Sequence, residues 1–254
     1  PVSEDQEFII DDFKKHNEYP VLWAKLNYEV IKESGNELFF FNRSGGTETS
    51  NYSSMMWAGD QMVDYSEEDG LLSVFDAYLS SAHSALPMIH SDAGGYTSVK
   101  KPFIKNYIRD TALLKDWLFL EACTPVLRTH EGLLPEDNSQ VYDASMTTYF
   151  AQVTQLHKKL QPYFEELITD RNENGESIFK DAKSVHDSFD NDLKSFAVGN
   201  DLVIFVVPEK QKYGVHADWT FVSTEGNISV NPISGMKIQV LVRKTSELFK
   251  TLQP

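Results

Sequence analysis

Apolar positions recur along this chain in blocks of helical or strand period, separated by polar segments that carry glycine. Leu22, Leu26 and Val30 follow Pro20 at helical spacing and Gly35 is placed to end the run, which predicts a helix. Residues 38–41 read as a short buried strand, and 43–54, rich in Gly, Thr, Ser and Asn, as the loop that follows it. Ser66-Glu67-Glu68-Asp69 has the form of a capping box ahead of an amphipathic helix carrying Leu71, Leu72, Phe75, Tyr78 and Leu79. Residues 86–89 predict a second strand running into the polar loop 90–96. Long helices are predicted around 104–123 and 146–167.

Strand, polar loop and helix thus alternate, which predicts a parallel sheet with helical crossovers and fits a (β/α) barrel whose reactive loops follow the strands. After Gly199 the pattern changes. Residues 202–207, 219–222 and 238–242 are strand-like, with Gly, Pro and Asn between them. The expected fold class is therefore α/β, with part of a (β/α)8 TIM barrel over residues 1–197 and a small antiparallel β-sandwich module over 198–254. A full barrel takes about 250 residues, so the first region supplies only about half of one.

Charge removes whole classes of function. Lys and Arg total 23 against 38 Asp and Glu, a net −15, and no basic cluster offsets it, which argues against nucleic acid and against an anionic membrane surface. No apolar run approaches the roughly 20 residues of a bilayer span. The single cysteine, Cys123, excludes an internal disulfide framework and a cysteine metal cluster. Asn42, Asn51 and Asn227 begin N-glycosylation triplets, usable only in a secretory compartment.

The stretch richest in chemistry runs through Arg43, Trp57 and Asp60. A carboxyl beside an aromatic wall suits a general acid, since apolar burial raises its pKa toward the working pH. By themselves these residues also suit a core tryptophan and a turn aspartate. The wider set of motifs is more specific: Tyr19-Pro-Val-Leu-Trp-Ala-Lys25, Phe41-Asn-Arg-Ser-Gly45, Met56-Trp-Ala-Gly-Asp-Gln61, Asp69-Gly-Leu71, His90-Ser-Asp-Ala-Gly-Gly-Tyr-Thr97, Thr124-Pro-Val-Leu-Arg-Thr-His-Glu-Gly132 and Gly199-Asn-Asp-Leu202. In their order and spacing, across nearly the whole chain, they resemble the family 31 glycoside hydrolases, the α-glucosidase and α-xylosidase family, and most closely its sulfoquinovosidase-like branch.

The resemblance implies a retaining α-glycosidase built on a (β/α)8 barrel, of which this chain matches the C-terminal half and the following β module. It places Asp60 on the general acid/base, Arg43 on a substrate-contacting arginine and His130 on a histidine that hydrogen-bonds the sugar. Asp92 and Trp57 fall on residues that shape the same subsite, and Tyr96 on a tyrosine that helps bind the sulfonate of the sugar. No metal and no organic cofactor is implied, because two carboxyls carry the chemistry. The family's nucleophilic aspartate sits on the preceding barrel strand, and no segment here carries its motif; Asp11 and Asp12 lie nearby without the accompanying glycine and glutamate.

These expectations converge on one part of a secreted or lysosomal enzyme that hydrolyses sulfoquinovosides or α-glucosides by double displacement. The expected partner is the upstream half of the same precursor, with Pro1 read as a cut; a homo-oligomer is compatible. The chain departs from the family mildly at Ala93 within Ser-Asp-Ala-Gly-Gly, at the 47–50 segment, and most at residues 178–189, which lack the family's Arg-Pro-Leu-Phe-like strand. That last divergence favours the alternative, an inactive relative that binds carbohydrate or serves in assembly, while the retained Trp57-Ala-Gly-Asp-Gln61 with Arg43 and His130 opposes it.

Overall fold

The computed structural model describes residues 13–46, 48–84, 88–103, 105–185, 193–207 and 215–253. Asp11, Asp12, Thr47, Leu86 and Ile104 lie outside them. Helix α1, Tyr19–Ser34, carries Pro20 in its first turn, and Gly35, at φ 65, donates its N–H to the Lys32 carbonyl to end it. Its apolar face has little cover: Ala24 is buried, but Trp23 is 49% exposed.

The strand expected at 38–41 does not form. Leu38 and Phe39 are 59% and 64% exposed, and only Asn42 pairs, in a parallel bridge to Met56. An apolar run becomes a strand only where a neighbour takes its hydrogen bonds and covers its face, and among the described residues nothing does so at 38–41.

Parallel pairing begins in earnest at β1, Met55–Trp57, and β2, Met88–His90, joined by helix α2, Leu71–Ala82. Their register sets Met55 against Met88 and Trp57 against His90. Parallel bridges continue the order outward on both sides, Asn42 to Met56 and Ala93 to Thr129. Chain segments near 42, 56, 89 and 129 therefore lie side by side in sequence order. Helix α3, Thr111–Ala122, forms the crossover between the last two.

Two helix starts differ from expectation. Helix α2 begins after Gly70 with no side-chain cap, because Ser66 turns back instead and donates both its N–H and its hydroxyl to Asp64 Oδ1 at 2.9 and 2.7 Å. Helix α3 begins at Thr111 rather than near 104: Asp110 caps it by accepting from Leu113 N at 2.8 Å, while Val99 and Tyr107 pair in an antiparallel bridge ahead of it. Helix α4, Thr147–Asn174, runs a further turn and more beyond the expected end, to Gly175 at φ 74.

The C-terminal region is one sheet among the described residues, where a two-sheet sandwich was expected. Its strands are β3 Phe179–Lys180, β4 Ser195–Val198, β5 Leu202–Val206, β6 Trp219–Val222, β7 Ile228–Ser229 and β8 Ile238–Arg243. They run antiparallel in the order β3-β4-β5-β8-β6-β7. Phe179 and Lys180 thus enter this sheet, paired with Val198 and Ala197.

Period-two alternation sorts the sheet's side chains. Leu202, Ile204, Val240 and Val242 face the main core, shared with α2, α3 and α4, whereas Val203, Phe205 and Leu241 form a smaller cluster behind it with Ala182 of the short helix α5, Ala182–Val185. Helix α6, Glu247–Thr251, capped by Ser246, closes the chain against the main core through Leu248. Sheet and helices are also joined by a polar contact. The buried Asp116 of α3 accepts from the Ile238 N–H of β8 at 3.0 Å and from the Tyr65 hydroxyl at 2.7 Å. No helix among the described residues is long and apolar enough to cross a membrane.

Candidate active site

The polar segments that follow β1, β2 and the 129 position converge at one end of the parallel array. After β1 the chain turns at Gly59, whose φ of 99 suits only glycine, and presents Asp60. Arg43, from the segment paired to β1, donates from Nη1 to Asp60 Oδ2 at 2.8 Å. The same guanidinium lies 5.1 Å from the centre of the Trp57 ring, a cation–π distance. Asp60 keeps 29% of its side chain open, so its carboxyl stands at the mouth of the site.

After β2 comes Asp92, fully buried. Arg128 Nη1 lies 2.5 Å from Asp92 Oδ1, while its guanidinium also sits 5.4 Å from the Trp57 ring and 5.2 Å from the Phe41 ring. Trp57 is therefore flanked by two arginines, each paired to an aspartate. Burial raises the Asp92 carboxyl above the usual aspartate range; Arg128 and His130 pull it back, and the like charge of Asp60 pushes it further up.

Tyr96 and His130 complete the arrangement. Their rings meet edge to face at 4.8 Å and 87°. His130 Nδ1 accepts from the Gly132 N–H at 3.0 Å, which leaves Nε2 as the donor of the neutral ring. Main-chain bonds hold the loops to one another. Tyr96 and Thr97 donate their N–H groups to the Gln61 carbonyl, and Ala93 donates to the Arg128 carbonyl. The Thr97 hydroxyl donates to the carbonyl of Asp60 itself at 2.8 Å.

Asp92 is held by the Arg128 guanidinium and by a hydrogen bond from Trp57, whereas Asn42 Oδ1, Gln61 Oε1 and His90 Nε2, all buried beside it, have no hydrogen-bond partner among the described residues. Folded chains satisfy buried polar groups almost without exception. Three such atoms along adjacent strand ends, next to a buried carboxylate, suit a polar ligand.

All of Arg43, Trp57, Asp60, Asp92, Tyr96 and His130 are thus brought together. Of the glycosylation positions, Asn51 is exposed and Asn227 half-buried, while Asn42 is buried in the parallel array and turned away from any modifying enzyme. Sequence reading gave no role to four residues that build the site. Arg128 and His90 belong to the 124–132 and 90–97 motifs. Burial pushes His90 down to about 4, so it is a neutral ring, with Nδ1 against the Met56 carbonyl at 3.0 Å. Glu121 follows the apolar run Trp117–Leu120 near the end of α3, where an acidic residue in a buried helix signals a partnered group; it lies beneath the loop and accepts from Ser91, Tyr78 and Thr124. Arg109 had no signal in the sequence.

The model of the glycosyl hydrolases family 31 TIM-barrel domain matches residues 3–167, and the chain belongs to that family. It is 38% identical over 218 residues to the sulfoquinovosidase of Escherichia coli (strain K12), an alignment covering 84% of this chain and 31% of that protein. It is 34% identical over 192 residues to the sulfoquinovosidase of Agrobacterium fabrum, covering 74% and 28%. Among solved structures, a family 31 sulfoquinovosidase from E. rectale in complex with an aza-sugar inhibitor superposes with a TM-score of 0.79 at 31% identity, over 94% of this chain and 38% of that one. The chain therefore spans about a third of the length of the curated relatives it matches.

Proposed function

We propose that this chain is part of a retaining α-glycosidase acting on sulfoquinovosides or α-glucosides, in which Asp60 is the general acid/base. The observation that carries the reading is the convergence of the Arg43–Asp60 and Arg128–Asp92 pairs about Trp57 with His130, beside the unpartnered Asn42 Oδ1, Gln61 Oε1 and His90 Nε2. A sugar is a dense array of hydroxyls, and such atoms are its natural partners. Asp92 accepts from a ring hydroxyl, His130 Nε2 donates to one, and Trp57, held between the two guanidinium groups, forms an apolar floor. Sulfoquinovosides come first because both curated relatives are sulfoquinovosidases, and Tyr96 is then the residue of this chain that meets the sulfonate.

Retention requires a second carboxyl about 5 to 5.5 Å from the first. Asp60 would protonate the departing oxygen, a nucleophile outside the described residues would form the glycosyl–enzyme bond, and Asp60 would then take a proton from water. In this reading the remainder of a (β/α)8 barrel supplies that nucleophile and covers the apolar surface of α1 and residues 38–41, which this chain leaves open. The test is Asp60→Ala in the whole protein. Turnover of substrates with poor leaving groups is expected to fall about 10²- to 10⁴-fold, and azide is expected to restore turnover of nitrophenyl glycosides, giving a glycosyl azide of retained configuration. Undiminished hydrolysis of a poor leaving group overturns the assignment.

One observation favours the alternative of a binding relative without turnover. Phe179 and Lys180, where the family has a barrel-like strand, pair instead with β4 of the C-terminal sheet. Saturable sugar binding with no turnover by the whole wild-type protein is the result that selects it.

A further inference from the structure

Arg109 is fully enclosed and makes five hydrogen bonds, none to a carboxylate. Nε donates to the Ser139 carbonyl at 2.9 Å, Nη1 to the carbonyls of Gly95 and His130 at 3.1 and 2.9 Å, and Nη2 to the Glu131 carbonyl and Gln140 Oε1 at 3.2 and 2.9 Å. An arginine has five N–H donors, so every one is used, and every acceptor is neutral. Burial without a contacting anion pulls the guanidinium down to about 10, yet it remains charged at neutral pH.

Three of those acceptors belong to the two loops that carry Tyr96 and His130. Gly95 immediately precedes Tyr96, and the other two are the carbonyls of His130 itself and of Glu131. The approach is close enough that Gly94 has no room for a side chain: a Cβ there would stand 2.5 Å from Arg109 Cδ. Asn138 supports the same junction, accepting from the Arg109 N–H at 3.0 Å and from the Ser98 hydroxyl at 2.9 Å. A buried cation held only by neutral oxygens is expensive, and an apolar side chain would fill the volume at lower cost. What the guanidinium supplies is a rigid planar fork that fixes several carbonyls at set angles, which a lysine cannot reproduce.

We propose that Arg109 is a positioning residue: it locks the Gly95 and His130 loops together and so sets the edge-to-face contact of Tyr96 with His130 that forms one wall of the sugar pocket. The functional part of this inference rests on the glycosidase reading, but the geometric part does not. Tyr96 and His130 are carried by loops 34 residues apart in sequence and their rings meet at 4.8 Å. The guanidinium bonds the main chain immediately before the first and at the second, beside a direct main-chain bond between the loops, from the Leu133 N–H to the Tyr96 carbonyl.

The experiment is Arg109→Lys in the whole protein, read in two ways. In the NMR spectrum of His130, the imidazole protons shifted by the Tyr96 ring are expected to move toward the positions they take in Tyr96→Leu. In kinetics, KM is expected to rise about tenfold with kcat changed less than threefold, and the effect is expected to shrink below twofold in a His130→Ala background. Unmoved His130 resonances overturn the proposal whether or not the protein is active, so a failure of the glycosidase reading is told apart from a failure of this one. Equal KM effects in the wild-type and His130→Ala backgrounds also overturn it. Should Arg109→Lys fail to fold, Gln140→Met removes a single arm of the clamp and is held to the same two readouts, with the same resonance movement in smaller degree.

Discussion

Arg128 meets the buried Asp92 carboxylate at 2.5 Å while remaining partly open to solvent itself. The aspartate therefore depends on the arginine far more than the reverse. Removing one partner of a buried pair leaves an uncompensated charge, at a cost of about 3–5 kcal/mol. Arg128→Met is expected to lose stability on that scale in urea unfolding, and Arg128→Met with Asp92→Asn is expected to regain more than half of it. Simple additivity of the two changes would show that the pair is not coupled.

Stability should decline as pH rises through neutrality, because of Glu121. Complete burial pushes its carboxyl up to about 8, against about 4.3 for an unperturbed glutamate. Between those values the folded chain holds a proton that the unfolded chain has released. Unfolding free energy then falls with pH by at most ~1.4 kcal/mol per unit, with no contribution to the slope below or above that window. Glu121→Gln should flatten the dependence, as seen in chemical denaturation at pH 5, 6, 7 and 8. An unchanged slope in the variant would remove Glu121 as its source.

Asp116 ties the helical layer to the sheet, accepting from Ile238 N–H and the Tyr65 hydroxyl. Asp116→Ala leaves both donors without that acceptor and is expected to cost about 2–4 kcal/mol. Hydrogen exchange should show it locally first, as faster exchange of the Ile238 amide relative to Val240, which lies deeper in β8.

The open face of α1 yields a prediction about the rest of the protein. Trp23 stands 49% exposed in this chain; if the remaining barrel covers it, Trp23→Ser should destabilise the whole protein by about 1.5–3 kcal/mol. An exposed helical position would change by no more than ~0.5 kcal/mol, and thermal unfolding separates the two.

Much of this was readable in advance, and where reading failed the cause is specific. Helix α1 was legible from Pro20 through Gly35 because its stop is local chemistry: a glycine in the left-handed region. The capping box at Ser66 was misleading because Asp64, two residues earlier, competes for the same donors. The strand at 38–41 failed because a strand is a property of its neighbours. At the site, Asp60, Asp92 and His130 were legible only through their motifs, while Arg109 was invisible, since its acceptors lie 14 to 31 residues away in sequence.

The sequence by itself determined where the long helices run, except for the start of α3, that strand and helix alternate before an antiparallel region, that the chain carries net charge −15, and which residues belong to a family 31 motif. Those properties depend on local propensity, period and residue identity. Only the tertiary structure decided that Arg43 and Arg128 flank one tryptophan, that Asp92 is buried while Asp60 remains open, and that Phe179 and Lys180 join the C-terminal sheet. Burial, charge pairing and strand pairing depend on which distant segments come to lie side by side, and the order of residues along the chain does not contain those distances.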